Sequence, residues 1–154
     1  MEKLNDLIIR KATLEDVPVI RQFILELSEY EKLRDTVTMT EELLAKNLFG
    51  DNKYAEVLLA DVSGKAVGFA LFFHNFSTFT GKPGIYLEDL YIRPEERGGG
   101  YGKSLLLHLL NLARERDCGR VEWAVLDWNE PAINFYKSLG AIPMDDWTIF
   151  RMIL

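Results

Sequence analysis

Apolar positions along this chain recur with two different periods, and the switches between them lay out the elements. Residues 7–10, Leu-Ile-Ile-Arg, form a short apolar run of strand character. Val17, Ile20, Ile24 and Leu27 then fall at helical spacing, with Thr13 ahead of them as N-cap and Glu15 and Asp16 in the first turn. That helix is expected to end between residues 28 and 33. Thr40 caps a second helix, with Glu41 and Glu42 at its start, Leu43, Leu44, Leu48 and Phe49 on its apolar face, and Gly50 at its end. Residues 54–62 and 65–73 read as two strands joined by Ser63-Gly64, a hairpin signal.

Residues 74–84 are expected to form a loop, and residues 85–92 a central strand closed by Pro94. A helix follows over residues 102–117 and is broken at Cys118-Gly119. Residues 121–126 predict another strand. Asn129 then caps a helix with Pro131 in its first turn, running to Leu139 and stopped by Gly140. Residues 147–154 are expected to close the chain as a last strand. The order βααβββαβαβ predicts one α/β domain over residues 1–154, with a mixed, largely antiparallel sheet.

Two features of the central stretch call for a chemical reason. Glu88 and Asp89 lie in the middle of an apolar strand, and simple alternation would send them to opposite faces. Burying carboxylates costs several kcal/mol unless they are paired, hydrated or chemically employed. Behind the strand, Arg97-Gly98-Gly99-Gly100-Tyr101-Gly102-Lys103 opens the next helix. Four glycines in five positions leave bare backbone N–H groups at the positive end of a helix dipole, where an anion can sit. A Walker A loop would need Gly where Arg97 stands. G-x-G-x-x-G begun at Gly98 would need Gly where Lys103 stands. Both phosphate motifs fail, leaving Arg-x-x-Gly-x-Gly between strand and helix.

Composition narrows the class. An apolar share of 48% with no apolar run near membrane length describes a soluble globular protein. The first six residues lack the basic start and apolar core of a signal peptide, which makes a cytoplasmic location the expectation. A net charge of −6 argues against a nucleic-acid partner and favours a cationic substrate. One Cys and two distant His provide no metal-ligand set, so no metal is expected. Cys118 has no partner for a disulfide and reads as a packing residue.

The Arg97-to-Gly102 pattern resembles the pyrophosphate loop of the GNAT acetyltransferases, which bind acetyl-CoA there. The stretch from Asn129 to Gly140 resembles that family's second hallmark, N-x-x-A-x-x-x-Y-x-x-x-G, through Asn129, Ala132, Tyr136 and Gly140. Tyr86-Leu87-Glu88-Asp89-Leu90-Tyr91, Trp128-Asn129-Glu130-Pro131 and Leu27-Ser28-Glu29-Tyr30-Glu31 are similar to the spermidine/spermine acetyltransferase subgroup. Phe76-Ser77-Thr78-Phe79 and residues 124–129 are more similar to its thialysine acetyltransferase branch. The polyamine branch carries an acid at the position of Ser77, and its absence here favours a shorter amine.

This resemblance implies the GNAT fold, acetyl-CoA as cosubstrate and transfer of an acetyl group to a small primary amine. It implies Glu88 as a base working through water and Tyr136 as the acid that protonates the departing thiolate. An alkyl ammonium with pKa near about 10.4 must lose a proton before it can attack, and a positioned group is worth about 10²–10⁴-fold in such a transfer. Backbone groups of Leu90, Tyr91 and Ile92 would hold the pantetheine arm, and residues 97–103 the phosphates, with Asn129, Pro131, Ala132 and Tyr136 beside them. Tyr30 and Glu31, with Glu88 and Asp89, would receive the amine. Glu88 and Tyr136 also have plain structural readings, as an ion-pairing acid and a helix packing residue. Asp89 reads as structural or substrate-orienting rather than as the base. A protein N-terminal or lysine acetyltransferase and a non-catalytic CoA-binding sensor are the rival readings. Members of the subgroup are homodimers, and the apolar residues 149–154 could serve that contact or belong to the core.

Overall fold

The computed structural model describes residues 6–154; the reading of the first five residues lies outside it. Its contacts divide the chain into two compact units, one ending at Ala124 and the other running Val125–Leu154. Each is described by itself.

The first unit carries a five-stranded sheet in the order β1 (Leu7–Lys11), β2 (Glu56–Val62), β3 (Lys65–Ser77), β4 (Lys82–Ile92), β5 (Val121–Trp123). The first four strands are antiparallel and β5 joins β4 in parallel, the mixed sheet that the chain's alternating elements predict. The helices are α1 (Val17–Tyr30), α2 (Glu41–Phe49) and α3 (Tyr101–Glu115). Thr13 caps a single 3-10 turn, Leu14–Asp16, in a capping box with Asp16, and α1 begins behind it. Thr40 caps α2 as expected, its hydroxyl accepting from the Leu43 N–H.

One face of the sheet packs on α1 and α2. Val57, Leu59, Phe69 and Tyr91 meet Val17, Ile20, Phe23, Leu44 and Leu48 in one buried cluster. Phe23 stacks on Phe69 at 5.6 Å between ring centroids. The other face presents Leu58, Ala60, Ala70, Phe72, Ile85 and Leu87, all buried, and α3 lies over this side with Leu105, Leu106 and Leu109 inward. Gly68 lets β3 and β4 close up: a Cβ there would run into the Tyr91 carbonyl and the Ile92 side chain.

Three expectations are corrected. Residues 74–84 are not a loop, because β3 runs on to Ser77 and β4 starts at Lys82. Phe76 pairs with Pro83 and Ser77 with Lys82, and the turn is closed by Gly81 N–H to the Ser77 carbonyl at 2.8 Å. Polar His74 and Asn75 and the Gly-Lys-Pro-Gly run disguise this hairpin, whose far end projects beyond the packed layers and needs no apolar alternation. Second, β5 stops at Trp123 instead of 126. Third, residues 147–154 form no strand; Phe150, Met152 and Ile153 are 89–92% exposed. Strand propensity needs an edge to pair with, and no described strand pairs with this segment.

The second unit is built on α4 (Glu130–Ser138). Asn129 caps it by accepting from the Ala132 N–H, and Pro131 sits in the first turn. Gly140, at φ +89, ends it, with Gly140 N–H on the Lys137 carbonyl and Ala141 N–H on the Tyr136 carbonyl.

Candidate active site

A β-bulge in β4 organises the candidate site. Leu71 lies opposite Asp89 while Phe72 lies opposite Leu87, so Glu88 is an extra residue in the ladder. Before the bulge, Tyr86 shares a face with Phe73, their rings 5.2 Å apart. After it, Asp89 and Tyr91 share the face of Leu71 and Phe69, the side of α1. The inserted residue therefore brings Glu88 and Asp89 onto one face, which corrects the expectation that they point apart. The apolar frame on the other side is kept, because Ile85 and Leu87 before the bulge and Ile92 after it all turn toward α3.

Glu31, at the C-terminal end of α1, completes a group of three carboxylates. Burial first, then the charges of Glu88 and Glu31, raises the Asp89 carboxyl to about 7. Burial and the Glu88 charge raise Glu31 as well. Glu88 is exposed, whereas Glu31 and Asp89 are half-buried. None of the three forms an ion pair among the described residues. Nearby cations are otherwise engaged: Arg93 bonds Glu26 at 3.1 Å, and Arg97 donates to the Ile92 carbonyl at 2.8 Å. The Arg97 guanidinium also lies over the rings of Tyr30 and Tyr91, at 5.2 and 5.6 Å. Arg97 thus ties the end of α1 to the start of the glycine turn, a role that sequence spacing alone did not suggest.

In that turn Gly98 and Gly100 have φ of +85 and +84, conformations that side-chain-bearing residues rarely adopt. Gly100 precedes α3, and the N–H groups of Gly102 and Lys103 in its first turn have no intrahelical acceptor. A Cβ on Gly98 would meet nothing, so the turn is open around it. Gly99 lies between the two, Lys103 is exposed and Tyr101 is buried. This is a cradle suited to phosphate oxygens, and it fits the pyrophosphate of a CoA.

Pairing of β4 with β5 ends at Leu87 opposite Trp123. Beyond it, Leu90, Tyr91 and Ile92 pair with β3 on one side only among the described residues. Their second edge is therefore available to an extended ligand arm. Ser77, whose identity separates the branches of the subgroup, is buried and accepts from the Thr80 N–H at 3.3 Å, closing the hairpin turn. In the second unit, Tyr136 sits on α4 with its ring 5.4 Å from that of Phe135; Asn129, Pro131 and Ala132 form the helix's first turn. The His, Cys, Asp and Glu side chains of the described residues form no group suited to a metal ion.

A mixed sheet with a glycine-rich turn between its central strand and a helix, followed by a capped Asn-to-Tyr helix, defines an N-acetyltransferase. The chain belongs to the acetyltransferase (GNAT) family, whose pattern matches residues 20–141. Among curated relatives it is 38% identical to a thialysine N-epsilon-acetyltransferase of Sus scrofa, over 96% of this chain and 93% of that one. It is 31% identical to the L-ornithine N5-acetyltransferase NATA1 of Arabidopsis thaliana, over 94% and 83%. An integron cassette protein from the mobile metagenome of V. cholerae superposes with a TM-score of 0.81 at 26% identity, covering 96% of this chain and 93% of that one.

Proposed function

We propose that this enzyme transfers the acetyl group of acetyl-CoA to a primary amine of a small molecule, in the class of thialysine, lysine analogues and short diamines. The observation that carries the reading is the group of Glu31, Glu88 and Asp89, three carboxylates on one face with no cation among them. An ammonium group supplies the missing positive charge, and its second charge or chain finds the rings of Tyr30 and Tyr86 on the same side. The names of the relatives, an N-epsilon- and an N5-acetyltransferase, favour a terminal side-chain amine.

Acetyl-CoA, when bound, supplies the thioester whose acetyl group the amine takes. Gly98–Lys103 would hold its phosphates, with Arg97 fixing the turn, and the free edge of Leu90–Ile92 would hold its arm. The Glu88–Asp89 pair removes a proton from the ammonium. Tyr136 is the proposed donor to the departing sulfur, with Asn129, Pro131 and Ala132 setting the start of its helix. The exposed apolar segment of residues 147–154 supports a homodimer, since monomeric soluble proteins rarely leave such surface uncovered. The net charge of −6 supports a cationic acceptor and no nucleic-acid partner. The cytoplasm, with its supply of acetyl-CoA, is the proposed location.

The test is CoA release from acetyl-CoA with thialysine, lysine, ornithine, short diamines, spermidine and a lysine peptide. Turnover on the small amines, with higher kcat/KM than on the peptide, is the expected result. Turnover confined to the peptide would replace this reading by a protein acetyltransferase. Tight acetyl-CoA binding without turnover on any acceptor would replace it by a CoA sensor.

A further inference from the structure

Within the site just proposed, two adjacent carboxylates compete for the role of proton acceptor, and the bulge treats them differently. Glu88 is the inserted residue, exposed to solvent on a longer side chain. Asp89 stands on the regular ladder opposite Leu71, half-buried, with a short side chain that the strand holds firmly. A carboxylate surrounded by water keeps ordinary acidity and is a poor resting place for a proton at neutral pH. One removed from water among like charges accepts a proton readily.

We infer that Asp89, rather than Glu88, takes the proton from the substrate ammonium, while Glu88 and Glu31 supply the negative field that draws the ammonium in. The inference rests on the small-amine reading and assigns the labour within that site. The step is a plain proton transfer. An R–NH3+ group gives one proton to the Asp89 carboxylate, directly or through one water, leaving R–NH2 with a free electron pair and a neutral Asp89 carboxyl. Asp89 returns the proton to solvent after the amine has reacted.

The charged groups around Asp89 agree with this division. Glu88 faces it from its own strand and Glu31 from the end of α1. The neighbouring β3 offers Leu71, with no charge. On α1, Glu26 is occupied by Arg93; from the glycine turn, Arg97 is held by the Ile92 carbonyl and two rings. Burial and two negative neighbours hold the Asp89 carboxyl near neutrality. A base is most effective when its pKa lies near the working pH.

Two measurements on the whole protein decide the matter. The first follows the Asp89 carboxyl carbon by NMR through a pH titration without substrate. A midpoint near neutrality is expected, moving down in Glu88→Gln and in Glu31→Gln; a midpoint in the ordinary carboxylate range overturns the inference. The second records kcat/KM against pH for the wild type, Asp89→Asn, Asp89→Glu and Glu88→Gln. The wild type should rise through neutral pH. Asp89→Asn should lose about 100-fold or more in kcat, together with that limb, and Asp89→Glu should restore the limb. Glu88→Gln should act mainly on KM and shift the limb downward. Turnover that survives Asp89→Asn with the limb in place, or a kcat abolished only by Glu88→Gln, overturns the inference and leaves the small-amine reading standing. No turnover by the wild type on any small amine overturns both.

Discussion

Two acid-rich corners of this protein handle carboxylates in opposite ways. At one corner, Arg10 on β1 bonds Asp16 at 2.8 and 2.9 Å and Asp61 on β2 at 2.6 Å, locking the entrance of α1 to the sheet edge. The Arg10 hydrogen bonds hold the Asp16 carboxyl below its usual range. Arg116 does the same for Glu56 at 2.6 Å, tying the end of α3 to β2. At the other corner Glu31, Glu88 and Asp89 gather without a cation, and burial and mutual repulsion raise Glu31 and Asp89. The same side-chain type is thus a fastener in one place and an unsatisfied acceptor in another. A carboxylate held by arginine gains stability in the folded state. One left unpaired costs stability, and that cost marks the place where a cationic ligand is worth most.

The comparison can be broken by giving the second corner what the first has. Leu71→Arg would set a guanidinium directly opposite Asp89. CoA release on any small amine should fall by about 100-fold or more, with the Asp89 carboxyl returning toward the ordinary range; an active variant would show that the vacancy is irrelevant.

The reverse change deprives the first corner of its cation. Arg10→Met strands Asp16 and Asp61, whose side chains are 13% and 15% exposed, and should cost about 2 kcal/mol in urea unfolding near neutral pH. Because Asp16 is depressed in the folded state, its pairing is worth most above the unfolded pKa near about 3.9 and is lost as pH falls through its folded value. The penalty of Arg10→Met should therefore shrink in acid.

Asp89 predicts the opposite slope. Its folded carboxyl is raised to about 7, so the folded state holds a proton that the unfolded chain has released. Its burden on stability is full above neutrality and disappears as pH falls toward the unfolded value. Asp89→Asn should raise Tm by on the order of 5 °C at alkaline pH and leave it unchanged near pH ~4. Equal gains at both pH values would show that packing, not charge, is responsible.

The smallest expected effect belongs to Glu31→Gln. Its charge comes last among the causes acting on Asp89, so the Asp89 midpoint should fall by less than that seen in Glu88→Gln. KM for a diamine should rise by about threefold, the scale of one partly screened charge.

Much of this architecture was legible in the residues. Helical spacing from Val17 to Leu27, the Thr40 and Asn129 caps, the Ser63-Gly64 hairpin and the glycines behind Ile92 all report local physics, and local physics survives folding. The motif segments placed the glycine turn and α4 correctly for the same reason. What could not be read is register. Nothing local announces that Glu88 has no partner on β3, because the bulge is a property of two strands brought together. Alternation counted along one strand therefore sent the two acids apart. The 74–84 hairpin was hidden by polar residues that tolerate pairing outside the core, and residues 147–154 were read as a strand from propensity that has no partner among the described residues. Arg97 carried a phosphate-loop expectation, and only the folded chain reveals its stacking on Tyr30 and Tyr91.

The bulge also makes the chain's length, and not only its composition, a specification of the protein. Residue 88 can change its side chain while the ladder on either side stays in step. Deleting it would advance every later position of β4 by one place, turning Tyr91 out of the α1 cluster and Ile92 away from α3. Homologous proteins descended from a common ancestor should therefore accept substitutions at this position freely compared with insertions or deletions, and gaps in their aligned sequences should avoid residues 85–92 while collecting at the hairpin tip around 78–81.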